Sequence, residues 1–142
     1  MKTVYIDGIF DLFHRGHLES LLKAKNMFND PLNTYLLVGI VGDEDATNYK
    51  RKPIINEDDR KEIIKNIKCV NEVICPCPLI INEDFLKKNN IDMIVHGFVS
   101  TEDRNKQKHF YENIKNIGCF KEIEYYSKIS TSDIIKNIKN NY

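Results

Sequence analysis

The sequence has no tryptophan, only six glycines and four prolines in 142 residues, no excess of either charge and no long apolar run. Without tryptophan, the strongest aromatic face for holding a cation is missing. With so little glycine and proline, and no Pro/Gly/Ser-rich stretch, neither a linker nor a low-complexity or collagen-like architecture fits. The 21 Lys+Arg balance the 21 Asp+Glu, so no global positive field exists to hold a polynucleotide by counterion release, and no nucleic-acid partner is expected. No apolar run approaches the roughly 20 residues that cross a bilayer. The start MKTVYIDGIF reads as a strand rather than a signal peptide, so the expected compartment is the cytoplasm.

What is there suits one globular domain over residues 1–142, since 42% hydrophobic and 30% charged residues supply both a core and a solvated surface. No internal repeat divides it. Cys69, Cys75, Cys77 and Cys119 include no Cys-x-x-Cys pair and no histidine at ligand spacing, and read as buried thiols in a reducing compartment. Lys, Ile and Asn are over-used throughout, as in the tail IIKNIKNNY, so single surface Lys or Asn residues carry no weight.

Short apolar runs alternate with segments of helical period. Lys2 to Ile6, Thr34 to Val41, Glu72 to Cys75 and Asp92 to His96 read as strands, and Lys121 to Tyr126 as a last one. The nearly continuous apolar run TYLLVGIV fits a strand buried on both faces. Leu18, Leu21, Leu22 and Lys25 mark one helix, Ile63, Ile64 and Ile67 a second, and Phe85 and Leu86 a third. Ser130 or Thr131 caps a final helix beginning IIKNI. This alternation implies an α/β fold, a doubly wound parallel sheet with right-handed crossovers. Such sheets bind ligands beyond the carboxyl ends of their strands. The segments to watch are therefore Asp7 to His17, Gly42 to Lys52, Pro76 to Asn82 and His96 to Asp103.

Asp7-Gly-Ile-Phe-Asp-Leu-Phe-His14-Arg-Gly-His17 runs from the first strand into the first helix. Two imidazoles three residues apart lie on one side of a helical turn, and Gly16 lets a phosphate approach the backbone. The free N–H groups and positive dipole end of that helix suit an anion. Taken alone, the pair also fits two structural histidines, or two ligands of a zinc ion completed by two cysteines.

The same segment resembles the His-x-Gly-His signature of the cytidylyltransferases that activate phosphocholine, phosphoethanolamine and glycerol 3-phosphate. Ile129-Ser-Thr-Ser-Asp133 is similar to the end of their second signature, Arg-Thr-Glu-Gly-Ile-Ser-Thr. The likeness continues in order through Tyr35-Leu-Leu-Val-Gly-Ile40, Asn48-Tyr-Lys50, Asn56-Glu-x-x-Arg60, Val70-Asn-Glu-Val73 and Ile91-Asp92. It implies a Rossmann-like nucleotidyltransferase fold and in-line attack of a phosphate monoester on the α-phosphorus of CTP, with pyrophosphate leaving. It implies that His14, His17 and Lys50 are catalytic, with both imidazoles drawn toward their charged form by neighbouring phosphates. Gly8, Ile9, Phe10, His14, His17, His96, Ile129, Ser130 and Thr131 would bind the nucleotide. Asp7, Lys50 and Leu79 would meet the alcohol phosphate. The only metal implied is Mg2+ carried by the triphosphate; no metal ligands are assigned.

Beside these implied roles, plainer readings stand. Lys50 is also a loop lysine next to Arg51 and Lys52, Ser130 and Thr131 also a helix cap, and Arg60 first of all structural support in an ion pair. Asp11 either orients the histidine loop or helps place the metal-bound nucleotide.

Three departures from the family pattern bear on the substrate. Leu79 stands where the phosphocholine enzymes have Trp after Cys77-Pro78, and Thr101 where they have a Tyr after the residue matching His96. His96-Gly97-Phe98 matches neither the choline nor the ethanolamine pattern. Tyr125-Tyr126-Ser127-Lys128 replaces Arg-Thr-Glu-Gly, so a phosphate-binding arginine is lost and Lys128 offers only a point charge. The resulting expectation is a cytidylyltransferase acting on phosphocholine or phosphoethanolamine for phospholipid synthesis. It is expected to form a homodimer through Leu12, Phe13 and Tyr35 to Val38, with no membrane-binding segment after Tyr142. The alternatives are a related adenylyl-transferring enzyme and a nucleotide-binding module that has lost turnover.

Overall fold

The computed structural model describes all residues, 1–142. Five strands form one sheet: β1 (Lys2–Gly8), β2 (Thr34–Ile40), β3 (Glu72–Ile74), β4 (Met93–His96) and β5 (Phe120–Glu122). All are parallel, in the order β3-β2-β1-β4-β5. The helices are α1 (Arg15–Lys25), α2 (Asp43–Tyr49), α3 (Glu57–Lys65), α4 (Glu83–Lys88), α5 (Thr101–Lys115) and α6 (Thr131–Asn141). The doubly wound α/β architecture read from the sequence is the one observed.

Alternation along the strands assigns each residue its face. Val4, Ile6, Leu36, Val38, Ile40 and Val95 point to one side, where Leu21, Ala24 and Ile64 of α1 and α3 cover them. Tyr5, Leu37 and Ile94 point to the other, under Leu86 of α4 and Phe110, Tyr111 and Ile114 of α5. Strand β2 is buried from both sides and pairs with β1 and β3 along its edges. This corrects one expectation: Leu36, Leu37 and Val38 are core of this chain, at most 2% exposed, and have no surface to offer a second copy.

Periodicity misses two helices. Helix α2 buries only Ala46. Helix α5 buries Gln107, Phe110, Tyr111 and Ile114, a 3-4 spacing, behind the polar run NKQK. Its start is marked, since the Ser100 hydroxyl accepts from the N–H of Asp103. Strand β5 ends at Glu122 rather than Tyr126, because beyond the bond from Ile123 N–H to the His96 carbonyl the chain leaves the sheet. All four cysteines are free thiols; Cys77 is buried, but the other three are only half-buried, which corrects the reading of all four as core.

The strand order reverses between β1 and β4. The carboxyl ends of these two strands therefore open a crevice, the place where sheets of this kind bind ligands.

Candidate active site

A cleft of about 630 Å³ lies at that switch point. Its floor is the β1 end, Ile6 to Asp11, and the β4 end, His96 to Val99; its walls come from Tyr49 to Arg51, Ser127 and Ile129 to Asp133. Of the residues singled out in the sequence, Asp7, Gly8, Ile9, Phe10, His17, Lys50, His96, Ile129, Ser130 and Thr131 line it. His14 sits against its wall through Thr131. Leu79 does not line the cleft. It packs beside Val41, Ala46 and Cys77, so the position after Pro78 turns into the core and its expected place in the substrate site is corrected.

The two histidines cap the helix they open. His14 is the N-cap of α1, and its Nδ1 accepts from Gly16 N–H at 3.0 Å. Nδ1 of His17 accepts from the N–H of His14 at 3.2 Å, completing a capping box made of imidazoles. Their rings stack with centroids 3.8 Å apart. A nitrogen that accepts from an N–H carries no proton, so each neutral ring bears its proton on Nε2. The local fold thus fixes both tautomers and leaves two Nε2–H donors.

Gly16 is required by this arrangement. A Cβ there would stand 2.8 Å from Cε1 of His14, so any side chain would push the imidazole away. Phe10 and Leu12 of the same loop hold φ of 56° and 50°, a left-handed backbone that non-glycine residues adopt at a cost. Asp11 braces the loop: its Oδ2 accepts from Ile54 N–H at 2.8 Å and its Oδ1 from Ile55 N–H at 2.9 Å. Both oxygens are spent on backbone, which favours the loop-orienting reading over nucleotide placement.

Burial lowers the pKa of His14, against the pull of Asp133. It drives His17 down to about 3, with the nearby His14 and Lys50 adding to the effect. In the unliganded protein both rings are therefore neutral at physiological pH, opposite in direction to the shift expected beside phosphates. Lys50 stands exposed at the cleft mouth; the surrounding walls lower its pKa, with Asp103 opposing.

The ends of the chain meet here. Thr131, the first residue of α6, donates its hydroxyl to the Asp11 carbonyl at 2.9 Å and lies 3.3 Å from Nε2 of His14. Ser130 is the N-cap, its hydroxyl accepting from Asp133 N–H at 3.1 Å, which leaves Thr131 free for the loop.

One feature escaped sequence reasoning. Asp7 belongs to a buried trio: Tyr111 donates to its Oδ1 at 2.6 Å, and His96 Nδ1 approaches the same oxygen at 3.0 Å. Burial, then the Asp7 charge, raises the Tyr111 pKa far above that of an ordinary phenol, so it remains a donor. Arg60, anticipated in the sequence, has a fully buried side chain. It donates to the carbonyls of Ile55, Ile9 and Val41 at 2.7 to 2.8 Å and to Asp43 at 2.6 Å, so the structural role expected of it is the one observed. No three His, Cys, Asp or Glu side chains converge as metal ligands, so the zinc reading of His14 and His17 with two cysteines is corrected: His14 meets Thr131 of α6 and no thiol joins the pair.

A parallel sheet with two imidazole donors and a helix N-terminus at its switch point defines an α/β domain whose cleft presents donors suited to an anion. Residues 5–137 match the family described as cytidylyltransferase-like, and the chain belongs to that family. It is 42% identical over 140 residues to choline-phosphate cytidylyltransferase 2 of Arabidopsis thaliana, covering 98% of this chain and 45% of the relative. It is 38% identical over 139 residues to choline-phosphate cytidylyltransferase A of Homo sapiens, with 98% and 37% covered. Ethanolamine-phosphate cytidylyltransferase of Mus musculus is 30% identical over 135 residues, with 93% and 31% covered. The chain thus spans less than half the length of these curated relatives. Among solved structures, the lipopolysaccharide core biosynthesis protein from Thermoplasma volcanium GSS1 superposes with a TM-score of 0.65 at 25% identity, covering 89% of this chain and 99% of that one.

Proposed function

We propose that residues 1–142 form a single catalytic domain that transfers a cytidylyl group from CTP to a small alcohol phosphate, phosphocholine or phosphoethanolamine, giving a CDP-alcohol for phospholipid synthesis. The observation that carries this reading is the approach of Thr131 to His14, which joins the imidazole pair and the N-terminus of α6 into one row of phosphate donors. The family and the choline- and ethanolamine-phosphate relatives support the choice of nucleotide and acceptor.

In this mechanism an oxygen of the monoester attacks the α-phosphorus, its new P–O bond forms in line with the breaking bond to the β-phosphate, and pyrophosphate departs. The Nε2–H groups of His14 and His17 donate to α-phosphate oxygens as negative charge builds on them. Fixed donors of this kind need no reorganisation during the reaction, which is why positioning dominates phosphoryl-type transfers. Anionic phosphates oppose the desolvation that keeps the rings neutral, so binding raises their proton affinity. Gly8, Ile9, Phe10, His96 and Ile129 bound the nucleotide. Lys50, at the mouth, offsets repulsion between the entering monoester and the nucleotide. The N-terminus of α6, with Ser130 and Thr131, holds the leaving phosphates. When carried on the triphosphate, Mg2+ would neutralise charge on the leaving group.

Asp7 serves the alcohol end. Both of its protein contacts fall on Oδ1, leaving Oδ2 without a protein donor in a residue that lines the cleft, suited to an ammonium. We further place the protein in the cytoplasm, where its free thiols stay reduced. We take it to be a homodimer through the half-buried Leu12 and Phe13, a state that sedimentation tests. The deciding experiment mixes the protein with Mg2+, CTP or ATP, and each alcohol phosphate, and follows pyrophosphate release. Release with CTP and phosphocholine or phosphoethanolamine is expected. CTP binding without release from any acceptor would instead indicate a binding module, and release with ATP alone an adenylyl-transferring enzyme.

A further inference from the structure

Three of the four arginines in the chain have carboxylate partners: Arg15 with Glu19, Arg60 with Asp43 and Arg104 with Glu122. Arg51 has none. Its Nη1 reaches only the Ser132 hydroxyl, at a long 3.3 Å, and its Nε–H is buried without any acceptor. A guanidinium presents five N–H donors in a planar fork, and a buried donor left unpaired is costly unless a ligand brings the acceptor. Arg51 follows Lys50 directly and lines the cleft.

Its position relative to α6 says which acceptor fits. Thr131 touches His14, and the next residue, Ser132, touches Arg51. Donors therefore run in one row from the imidazoles, over the first turn of α6, to the guanidinium. The first intrahelical bond of α6 is made by Ile134 N–H to the Ser130 carbonyl, so the N–H groups of Thr131 and Ser132 are unclaimed within the row. Lys128, the other cation considered near this turn, is exposed and does not line the cleft.

We infer that Arg51 is a polyphosphate ligand, its fork donating to the β- and γ-phosphates of the bound triphosphate and to the pyrophosphate that leaves. The inference rests on the function proposed above. It adds a residue that lies in neither signature segment and gives the cleft the bidentate donor that a lysine cannot imitate.

Calorimetric titration of the wild type, Arg51→Ala and Arg51→Lys with Mg2+ and either CTP, CMP or inorganic pyrophosphate tests it, with thermal melts confirming that each variant is folded. Arg51→Ala should weaken CTP and pyrophosphate by about tenfold to a hundredfold and CMP by less than about twofold, with Arg51→Lys recovering only part of the loss. Unchanged CTP and pyrophosphate affinity in Arg51→Ala overturns the inference. So does a parallel loss of CMP, which would mark a role in the fold or at the α-phosphate. If Arg51→Ala does not fold, the same split between CTP and CMP in Arg51→Lys decides. Wild-type protein that binds pyrophosphate and ATP but not CTP would sink the cytidylyl reading alone, and the ATP and AMP pair would then judge Arg51. A wild type that binds no polyphosphate overturns both.

Discussion

The Tyr111 hydroxyl donates to Asp7 Oδ1 at 2.6 Å, joining α5 to the end of β1 across 104 residues of sequence. With His96 on the same oxygen, Asp7 is oriented before any substrate arrives. Replacing Tyr111 by Phe removes one hydrogen bond to a buried carboxylate and should cost about 1.5 to 3 kcal/mol in urea denaturation. KM for a cationic alcohol phosphate should rise, because Oδ2 is no longer aimed, while kcat stays close to wild type. A loss of stability with KM unchanged would remove Asp7 from the substrate site and leave the trio a purely structural one.

The imidazole capping box predicts that helix capping and catalysis separate. Asparagine caps helices as well as any residue, so His14→Asn should keep stability within about 1 kcal/mol of wild type. It has no Nε2–H at the end of a ring to reach the α-phosphate. The rate of pyrophosphate release should therefore fall by about a hundredfold to a thousandfold. Full activity in a folded His14→Asn would refute the assignment of that ring as a donor.

The same pair makes stability depend on pH. The folded-state pKa of His17 is lowered to about 3, whereas an unfolded histidine titrates near 6.5. Between these values the unfolded chain binds the proton more readily, so stability rises with pH and is fully present above about 6.5. It declines as pH falls from there toward about 3. Urea midpoints between pH 4 and 7 should show this slope in the wild type. His17→Gln, which can keep the capping box, should flatten it. An equal slope in both proteins would show that His17 is not the group responsible.

The sheet was legible because its inner strands are buried from both sides. A run such as Leu36-Leu37-Val38 has no polar face to confuse it with a helix, and Val4 and Ile6 alternate with Tyr5 as a strand requires. Helix α2 escaped notice because one alanine is its whole buried contribution, and α5 because half of its buried face is Gln107 and Tyr111. At the site, His14 and His17 were legible because their relation is local, three residues within one turn. The Asp7, His96 and Tyr111 trio was not, since it joins three elements, with Asp7 lying 89 and 104 residues from its two partners, and depends on none of their neighbours in sequence. Leu79 shows the converse. Its place after a strand pointed to the cleft, but the chain there turns the side chain into the core.

Arg60 offers the sharpest separation of support from chemistry. Its guanidinium is fully buried and holds carbonyls from the histidine loop (Ile9), the end of β2 (Val41) and the approach to α3 (Ile55), besides Asp43 at the start of α2. Methionine fills similar volume but leaves these acceptors unpaired, and breaking a buried charge pair costs about 3 to 5 kcal/mol. Arg60→Lys should recover little, because one ammonium on a flexible stem cannot reach three carbonyls lying in different directions. Since Ile9 belongs to the loop that carries His14 and His17, activity should fall in both variants, and the loss should track the fraction unfolded at each urea concentration. Activity lost in a variant with wild-type stability would instead mean that Arg60 acts on the substrate, which its burial away from the cleft argues against.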